Sequence, residues 1–312
     1  MLVSIIITTR NSSSYIHKAL DAIVSQTYKN YEVLVIDDAS DDLIELEYII
    51  KKYSHFFSIR IISQHKKTNA SVARNIGIKN AKGDAVFFLD ADDVWCDKKI
   101  ETILSVIGNY RNEPIIIFHQ SLRGTYSDIE SGHAKVVPES GPTNTNIIDY
   151  LLNDNGVIQT STISINKESA KILIFDESLP RHQDVQFCFD AYQKGVKFIF
   201  IEKVLSHWII LDRTVNAHVK GANVDFCLDW INKNRALLSE QNVINYLSNV
   251  LFYIAIKERR LLNAIPISFS LLGWKSLIAW NVFFVTFVKK ALNKLNEKLK
   301  RFFKIQKRNF YV

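Results

Sequence analysis

Residues 85–93 read Ala-Val-Phe-Phe-Leu-Asp-Ala-Asp-Asp. Five apolar residues end on three carboxylates, the pattern of a buried strand that delivers polar groups to the edge of a sheet. The pattern recurs upstream. Val3-Ser-Ile-Ile-Ile-Thr8 is a β-branched run followed by the polar turn Asn11-Ser-Ser-Ser14, which also reads as a helix N-cap. Glu32-Val-Leu-Val-Ile-Asp37 is another such run and ends at Asp37-Asp38. Ile16, Ala19, Leu20 and Ile23 share one helical face within 15–26, and further helices are expected over 42–53 and 70–81, with a strand at 57–63. Strands alternating with helices argue for an α/β chain with a parallel, doubly wound sheet. In such sheets ligands bind beyond the carboxyl ends of the strands. Thr8–Asn11, Asp37–Ser40 and Asp90–Asp93 all lie at such ends, so three polar clusters are expected on one rim.

Downstream, a helix is expected over Asp97–Ile107 and a fifth strand at 114–118. Residues 119–156 are polar and irregular, with a short helix near 146–153. Val157–Ile165 reads as a strand, Asp184–Lys194 as a helix ended by Gly195, and Val196–Ile201 as a strand. From about 220 the pattern is helical. The expected organisation is an α/β domain over 1–215 and a helical C-terminal region over 216–312.

The 312 residues are 47% hydrophobic and 12% aromatic, with ten Gly and five Pro, which excludes a disordered chain and allows a full core. Cys96, Cys188 and Cys227 are far apart and odd in number, so neither a disulfide framework nor a Cys-x-x-Cys knuckle fits, and a reducing compartment is the simplest reading. Met1–Arg10 lacks a basic n-region, so no signal peptide is expected. The net charge of +7 is local. Residues 289–312 hold nine of the 39 Lys/Arg and one of the 32 Asp/Glu, leaving the rest close to neutral. In that tail Leu292, Leu295, Leu299 and Phe302 recur at helical spacing opposite a basic face, the signature of an interfacial helix on an anionic membrane. Residues 264–288 are strongly apolar but interrupted by Pro266, Gly273, Lys275 and Asn281, which makes them marginal for a span of about 20 apolar residues. No nucleic-acid module accompanies the basic residues, so a nucleic-acid partner is not expected.

Asp90-Ala-Asp-Asp93 has two readings. Hard oxygen ligands at this spacing suit Mg²⁺ or Mn²⁺ shared with substrate phosphates; Asp92 or Asp93 equally suits the cap of the following helix. Its company carries the argument further. Val3-Ser-Ile-Ile-Ile-Thr-Thr-Arg-Asn11, Ser25-Gln-Thr-Tyr28, Val35-Ile-Asp-Asp-Ala-Ser40, Ala73-Arg-Asn-Ile-Gly77, Ala81-Lys-Gly83 and Phe88-Leu-Asp-Ala-Asp-Asp93 occur in this order. In this the chain resembles the family 2 glycosyltransferases of the GT-A fold, continuously over about 1–110 and again near Phe175–Gly195.

The resemblance implies a GT-A fold with a mostly parallel central sheet and a helical appendage. It places Thr8 and Arg10 at the nucleotide, where the family often has Pro and Tyr; the Arg10 guanidinium can stack in the ring's place. Asp38 would accept from the uracil N3–H, with turn chemistry as the bland alternative for Asp37 and Asp38. Asn69 stands where the family usually has Gly, which fits a left-handed backbone. Arg74 either faces the diphosphate or braces the acidic cluster. Asp90, Ala91 and Asp92 would meet the donor, and Asp90, Asp92 and Asp93 a Mn²⁺ or Mg²⁺ ion. Apart from the resemblance, the position of His207 after a short apolar strand allows it to complete the metal shell or contact phosphate, with a packed His as the structural alternative, and Arg213 could clamp the diphosphate. Leu179-Pro-Arg-His-Gln-Asp184 matches the acidic motif in which Asp184 is the catalytic base, preceded by Gln183 rather than the common Glu. A helix N-terminus there would keep Asp184 ionised, and a plain N-cap is the structural alternative.

The activity implied is inverting, metal-dependent transfer of a sugar from a UDP-sugar, of glucose or galactose type, giving a β-linkage. The segment around Asp184 is similar to bacterial O-antigen and capsule enzymes, which implies a polyprenyl-diphosphate-linked saccharide acceptor and a peripheral place on the cytoplasmic face of the inner membrane. The rivals are a nucleotidyltransferase, which wants a Gly-rich basic loop that Asn11-Ser-Ser-Ser14 does not supply, and a non-catalytic sugar-nucleotide-binding scaffold.

Overall fold

The computed structural model describes residues 1–110, 112–143, 146–211, 223–289 and 292. The chain divides into two compact units, Met1–Gly221 and Ala222–Val312.

In the first unit the apolar runs become β1 (Val3–Thr9), β2 (Tyr31–Asp37), β3 (Ser58–Ser63) and β4 (Ala85–Asp90), separated by α1 (Ile16–Val24), α2 (Leu43–Tyr53) and α3 (Ala70–Asn80). There follow β5 (Val94–Trp95), α4 (Lys99–Ile107), β6 (Ile115–Gly124), α5 (Tyr126–Glu130), β7 (Lys135–Val137), α6 (Ile147–Leu152), β8 (Ser164–Asn166), α7 (Lys167–Ile172), α8 (Gln183–Gln193) and β9 (Lys197–Ile209). The sheet order is β3-β2-β1-β4-β8-β6-β9-β5, with β7 on β6. The first four strands pair in parallel and so do β6 and β9, while the short β5, β7 and β8 enter antiparallel. The sheet is therefore mostly parallel, as expected of the GT-A fold.

One face of the sheet packs Ile5, Val33 and Phe87 against Leu20 of α1 and Ile103 of α4, all with no exposed surface. Burying one such side chain stabilises the fold by about 1.5–3 kcal/mol. On the other face α3 lies directly on β1. A Cβ at Gly77 would stand 2.4 Å from Ile6 Cγ2, so only glycine permits this approach, and it brings Arg74, one turn upstream, to the end of β4. Register completes the rim: Thr8 lies beside Asp90 and Thr9 beside Asp37.

Two stretches depart from expectation. β6 continues through His119–Gly124, which had read as irregular. Its polar residues are internal: Ser121 Oγ donates to the Ser206 carbonyl at 3.0 Å, and β9 supplies the partner strand. Val157–Ile165 is not one strand but a 3₁₀ turn at Thr160–Thr162 leading into β8. Gln159 caps that turn, accepting from Ser161 N at 2.9 Å, and the turn passes beneath Asp90.

The second unit is helical where described: α9 (Val224–Asn234), α10 (Glu240–Tyr246), α11 (Phe252–Lys257), α12 (Ala264–Leu272) and a last helix over 276–289. Arg213, the proposed boundary at 215/216 and nearly all of the basic tail lie outside the described residues.

Candidate active site

A cavity of about 390 Å³ opens at the carboxyl ends of β1, β2 and β4. Thr8, Arg10, Tyr15, Asp38, Arg74 and Asp92 line it, with Asp90 and Ala91 between them. Four loops from distant parts of the sequence meet here because β1 sits between β2 and β4, where the direction of winding reverses. Asn11 staples the first loop to the second: its side chain exchanges bonds of 3.0 and 2.8 Å with Asp41, in a left-handed conformation (φ 50°) that asparagine tolerates.

Asp37 and Asp38 have different work. Asp37 accepts from both the backbone N–H and the hydroxyl of Ser40, closing the turn. Asp38 accepts three bonds on Oδ1, from Thr68 N, Thr68 Oγ1 and Gln64 Nε2 at 2.6, 2.7 and 3.2 Å. Its Oδ2 is left as acceptor for a ligand in the cavity it lines. Thr9 Oγ1, Arg10 Nη1 and Arg74 Nε are buried without a hydrogen-bond partner, which is the state expected of groups that a polar ligand completes.

Asp90 is held on both oxygens. Arg74 Nη2 donates to Oδ1 at 2.9 Å and Gln159 Nε2 to Oδ2 at 3.1 Å. Asp92, half-buried next to it, has its carboxyl pushed up to about 6, first by burial and then by the Asp90 charge. Asp93 points inward. Its carboxylate accepts from Ile209 N, Ser161 Oγ and Gln159 Nε2 at 2.9, 2.6 and 2.7 Å, so it braces the loop from below and is not available to a metal. Burial and the two neighbouring carboxylates hold it well above the usual range.

A second cavity, of about 490 Å³, shares Arg74 and Asp90 with the first and is further lined by Gln159, Arg181, Asp184 and Trp208. Asp184 is the second residue of α8, whose N-cap is His182 in a left-handed conformation (φ 59°). The plain N-cap reading of Asp184 therefore falls. Burial raises its pKa despite the Val185 N–H and the Arg74 charge, which oppose the rise; desolvation outweighs the helix N-terminus expected to keep it ionised. Arg74 links the two cavities: Nη1 donates to Gln183 Oε1 at 3.0 Å, beside Asp184. Asn75 next to it ties α3 to the chain entering α8, exchanging bonds with Phe175 O and N at 2.9 and 2.8 Å.

Residues 4–170 match the family described as Glycosyl transferase family 2, more than half of the chain. The chain belongs to glycosyl transferase family 2. It is 34% identical over 250 residues to the amylovoran biosynthesis glycosyltransferase AmsB of Erwinia amylovora, covering 78% of this chain and 81% of that one. Two further curated relatives are longer, and the match covers 29% and 31% of them. Among solved structures, residues 1–349 of Staphylococcus aureus TarS in complex with UDP-GlcNAc superpose with a TM-score of 0.66 at 19% identity, covering 91% of this chain and 88% of that one. The mannosyltransferase PcManGT from Pyrobaculum calidifontis, in complex with GDP-Man and Mn²⁺, gives 0.55 at 15% identity, covering 94% and 86%. The fold is GT-A and the protein is a glycosyltransferase, which removes the nucleotidyltransferase and scaffold readings.

Within this family 2 enzyme, Thr8, Arg10, Asp38, Arg74, Asp90, Ala91 and Asp92 converge on one cavity, and Asp184 on its neighbour. Three expectations are corrected. Asn69 is extended (φ −161°), not left-handed, and caps α3 by accepting from Ser71 N and Val72 N while donating to Glu177 O, so both ends of its amide are engaged within the protein. Asp93 is the internal brace described above. His207 lies in β9 opposite Val94 and lines a separate cavity of about 480 Å³ with Lys18 and Tyr126. Burial lowers its pKa, and its ring stands 3.9 Å from Cys96 Sγ. The sequence reading ended the strand before His207; the strand runs on, and its pleat turns Trp208 instead toward Asp184.

Among the described residues no three His, Cys, Asp or Glu side chains are placed to hold a metal by themselves. The donor set fits a Mg²⁺- or Mn²⁺-type ion of another kind: one carboxylate, Asp92, under repulsion from Asp90, with water and substrate phosphate supplying the rest. Gln159, Ser161, Tyr15 and Trp208 were missed. The signal for Tyr15 was present, an aromatic residue directly after Asn11-Ser-Ser-Ser14 in the nucleotide loop.

Proposed function

We propose that the enzyme inverts configuration as it moves a glucose- or galactose-type sugar from UDP to a lipid-diphosphate-linked saccharide, forming a β-linkage in surface-polysaccharide assembly. The reading rests on one observation above the others: the cavity lined by Asp38 and Asp92 and the cavity lined by Asp184 share a wall made of Arg74 and Asp90. A nucleotide in the first presents its sugar to an acceptor in the second, with a carboxylate on the acceptor side.

In this reading Asp38 Oδ2 accepts from the uracil N3–H, and Tyr15 and Arg10 offer flat groups to the base. Thr8 and Arg10 face the ribose and diphosphate. Asp184 takes the proton of the acceptor hydroxyl as its oxygen attacks the anomeric carbon. The bond from that carbon to the diphosphate oxygen breaks on the opposite side, and UDP leaves. The raised pKa of Asp184 makes it a stronger proton acceptor than an exposed Asp. A Mn²⁺ or Mg²⁺ ion held by Asp92, with Asp90 behind it, would neutralise the charge that develops on the departing diphosphate. The surface-polysaccharide setting draws on AmsB, the UDP donor on the UDP-GlcNAc complex of TarS, and the ion on the Mn²⁺ complex of PcManGT. The apolar and basic C-terminal sequence supports a peripheral place on the cytoplasmic face of a bacterial inner membrane.

The test is UDP release from a panel of UDP-sugars, with Mn²⁺ or EDTA, using a synthetic lipid-diphosphate-GlcNAc acceptor. Turnover with one donor that EDTA abolishes and that yields a β-linked product is expected. Absence of binding and hydrolysis for every UDP-sugar, with or without metal, refutes the uridine assignment.

A further inference from the structure

Leu261–Lys289 is apolar and long enough to cross a membrane by length and composition, with a mean hydropathy of 1.5 over an 18-residue stretch. The backbone does not use it that way. Gly273 takes φ 55° and ψ −139°, which ends α12. Trp280 Nε1 then donates to Ser268 Oγ at 3.0 Å. In one continuous helix these two residues would stand roughly 18 Å apart along the axis; the hydrogen bond requires the chain to turn back. The segment is a helical hairpin, with limbs of roughly 14 and 21 Å, against about 30 Å of bilayer hydrocarbon.

One face of the hairpin is spoken for. Phe252 stacks on Trp280 at 4.0 Å and meets Phe283 at 5.4 Å, while Tyr253 packs on Phe283 and Phe287. Ser276, Ala279 and Phe283 are fully buried on that side. The opposite side is apolar and open: Leu277, Ile278, Phe284, Val285 and Val288 are each about half exposed, and Trp274 at the turn is 82% exposed. Ten of the eighteen exposed large apolar side chains among the described residues fall between Leu262 and Leu292. The chain then runs directly into the nine Lys/Arg of 289–312. An apolar face continuous with a cationic segment is complementary to an anionic bilayer. An aromatic residue beside Lys275 at the turn suits the headgroup level.

We infer that the hairpin is a monotopic docking element: both limbs lie in one leaflet of an anionic membrane, with Trp274 near the headgroups and neither limb crossing. This stands independently of the donor and acceptor assignment. The test uses the full chain with liposomes of phosphatidylcholine alone or mixed with phosphatidylglycerol. Wild type is expected to float with the anionic vesicles and to bind them at least tenfold more tightly than the neutral ones. Ile278→Glu with Phe284→Glu, both at exposed positions, should lower that binding at least tenfold with Tm unchanged. Brominated lipids should quench the fluorescence removed by Trp274→Phe most strongly when the bromine lies near the headgroup. Vesicle binding untouched by the Glu substitutions overturns the proposal, as does strongest quenching by bromine at the chain ends. So does a self-associating protein that ignores vesicles and becomes monomeric in the double variant, which would assign the face to a second copy of the chain.

Discussion

Arg74 donates to Asp90 across 2.9 Å, and the guanidinium is almost wholly buried while the carboxylate keeps about a quarter of its surface. The same guanidinium reaches Gln183, so α3, the end of β4 and the start of α8 meet on one side chain. Removing one partner of a buried pair leaves the other uncompensated. Arg74→Gln is expected to cost about 2–4 kcal/mol of stability and to weaken UDP binding at least tenfold, read by thermal unfolding and calorimetric titration. Arg74→Lys should not restore both, because the two acceptors are reached by two separate nitrogens of the planar guanidinium, a span that one ammonium nitrogen does not reproduce. Full rescue by Lys would reduce the role to bulk charge.

Asp184→Asn should keep UDP-sugar affinity within about threefold and lower kcat by at least a thousandfold, an expectation from the size of general-base effects. Near-wild-type turnover would remove Asp184 as base. Its pH profile is specified in sign. Burial raises the Asp184 pKa, and the base works only when deprotonated, so the acid limb of kcat/KM should lie above the usual carboxylate range. The Arg74 charge opposes that rise, so the limb should move further up in Arg74→Gln.

Much of this was legible in the sequence for a physical reason. Short apolar runs that end on polar clusters can be little else than buried strands, and their carboxyl ends must share a rim if the sheet is parallel. That logic places Thr8, Asp38, Asp90 and Asp92 together. It fails where contacts are not local. Gln159 and Ser161 reach Asp93 across 66 and 68 residues, and the polar turn that carries them resembles a strand in composition. Asn69 was read through its tolerance of left-handed backbone, yet asparagine caps helices at least as readily. His207 misses the cleft because the strand runs on through it to Ile209, so the alternating pleat sends His207 and Trp208 to opposite faces and Trp208 lines the cavity of Asp184.

Asp92 binds its proton more tightly folded than unfolded, since its carboxyl is raised to about 6. Between the unfolded value of about 4 and that value, the stability of the metal-free enzyme should therefore fall as pH rises, and the loss is complete above it. Asp92→Asn removes the repelled charge and should stabilise the metal-free protein at pH 7 by about 1–2 kcal/mol, raising Tm by a few degrees. The same variant should lose metal-dependent turnover. Proton and metal compete for one carboxylate, so Mn²⁺ affinity in wild type should drop below about pH 6. His207→Ala should leave the metal dependence unchanged; a tenfold loss of Mn²⁺ affinity in that variant would return His207 to the metal shell.

Trp208 carries the prediction that separates acceptor from donor. Its ring lines the cavity of Asp184 but not that of Asp38 and Asp92. The Arg123 guanidinium stacks on it, 4.6 Å from the ring centroid, which fixes the plane of the indole. A fixed aromatic plane beside the base suits the apolar face of a sugar ring, and about 0.5–1.5 kcal/mol, the gain of an aromatic pair beyond burial, sets the scale expected of the contact. Trp208→Ala should then raise the acceptor KM by up to about tenfold while leaving donor KM and the slow hydrolysis of UDP-sugar as they are; Trp208→Phe should recover most of the loss. A change confined to donor KM would move Trp208 to the nucleotide side and would contradict the division of the cleft at Arg74 and Asp90.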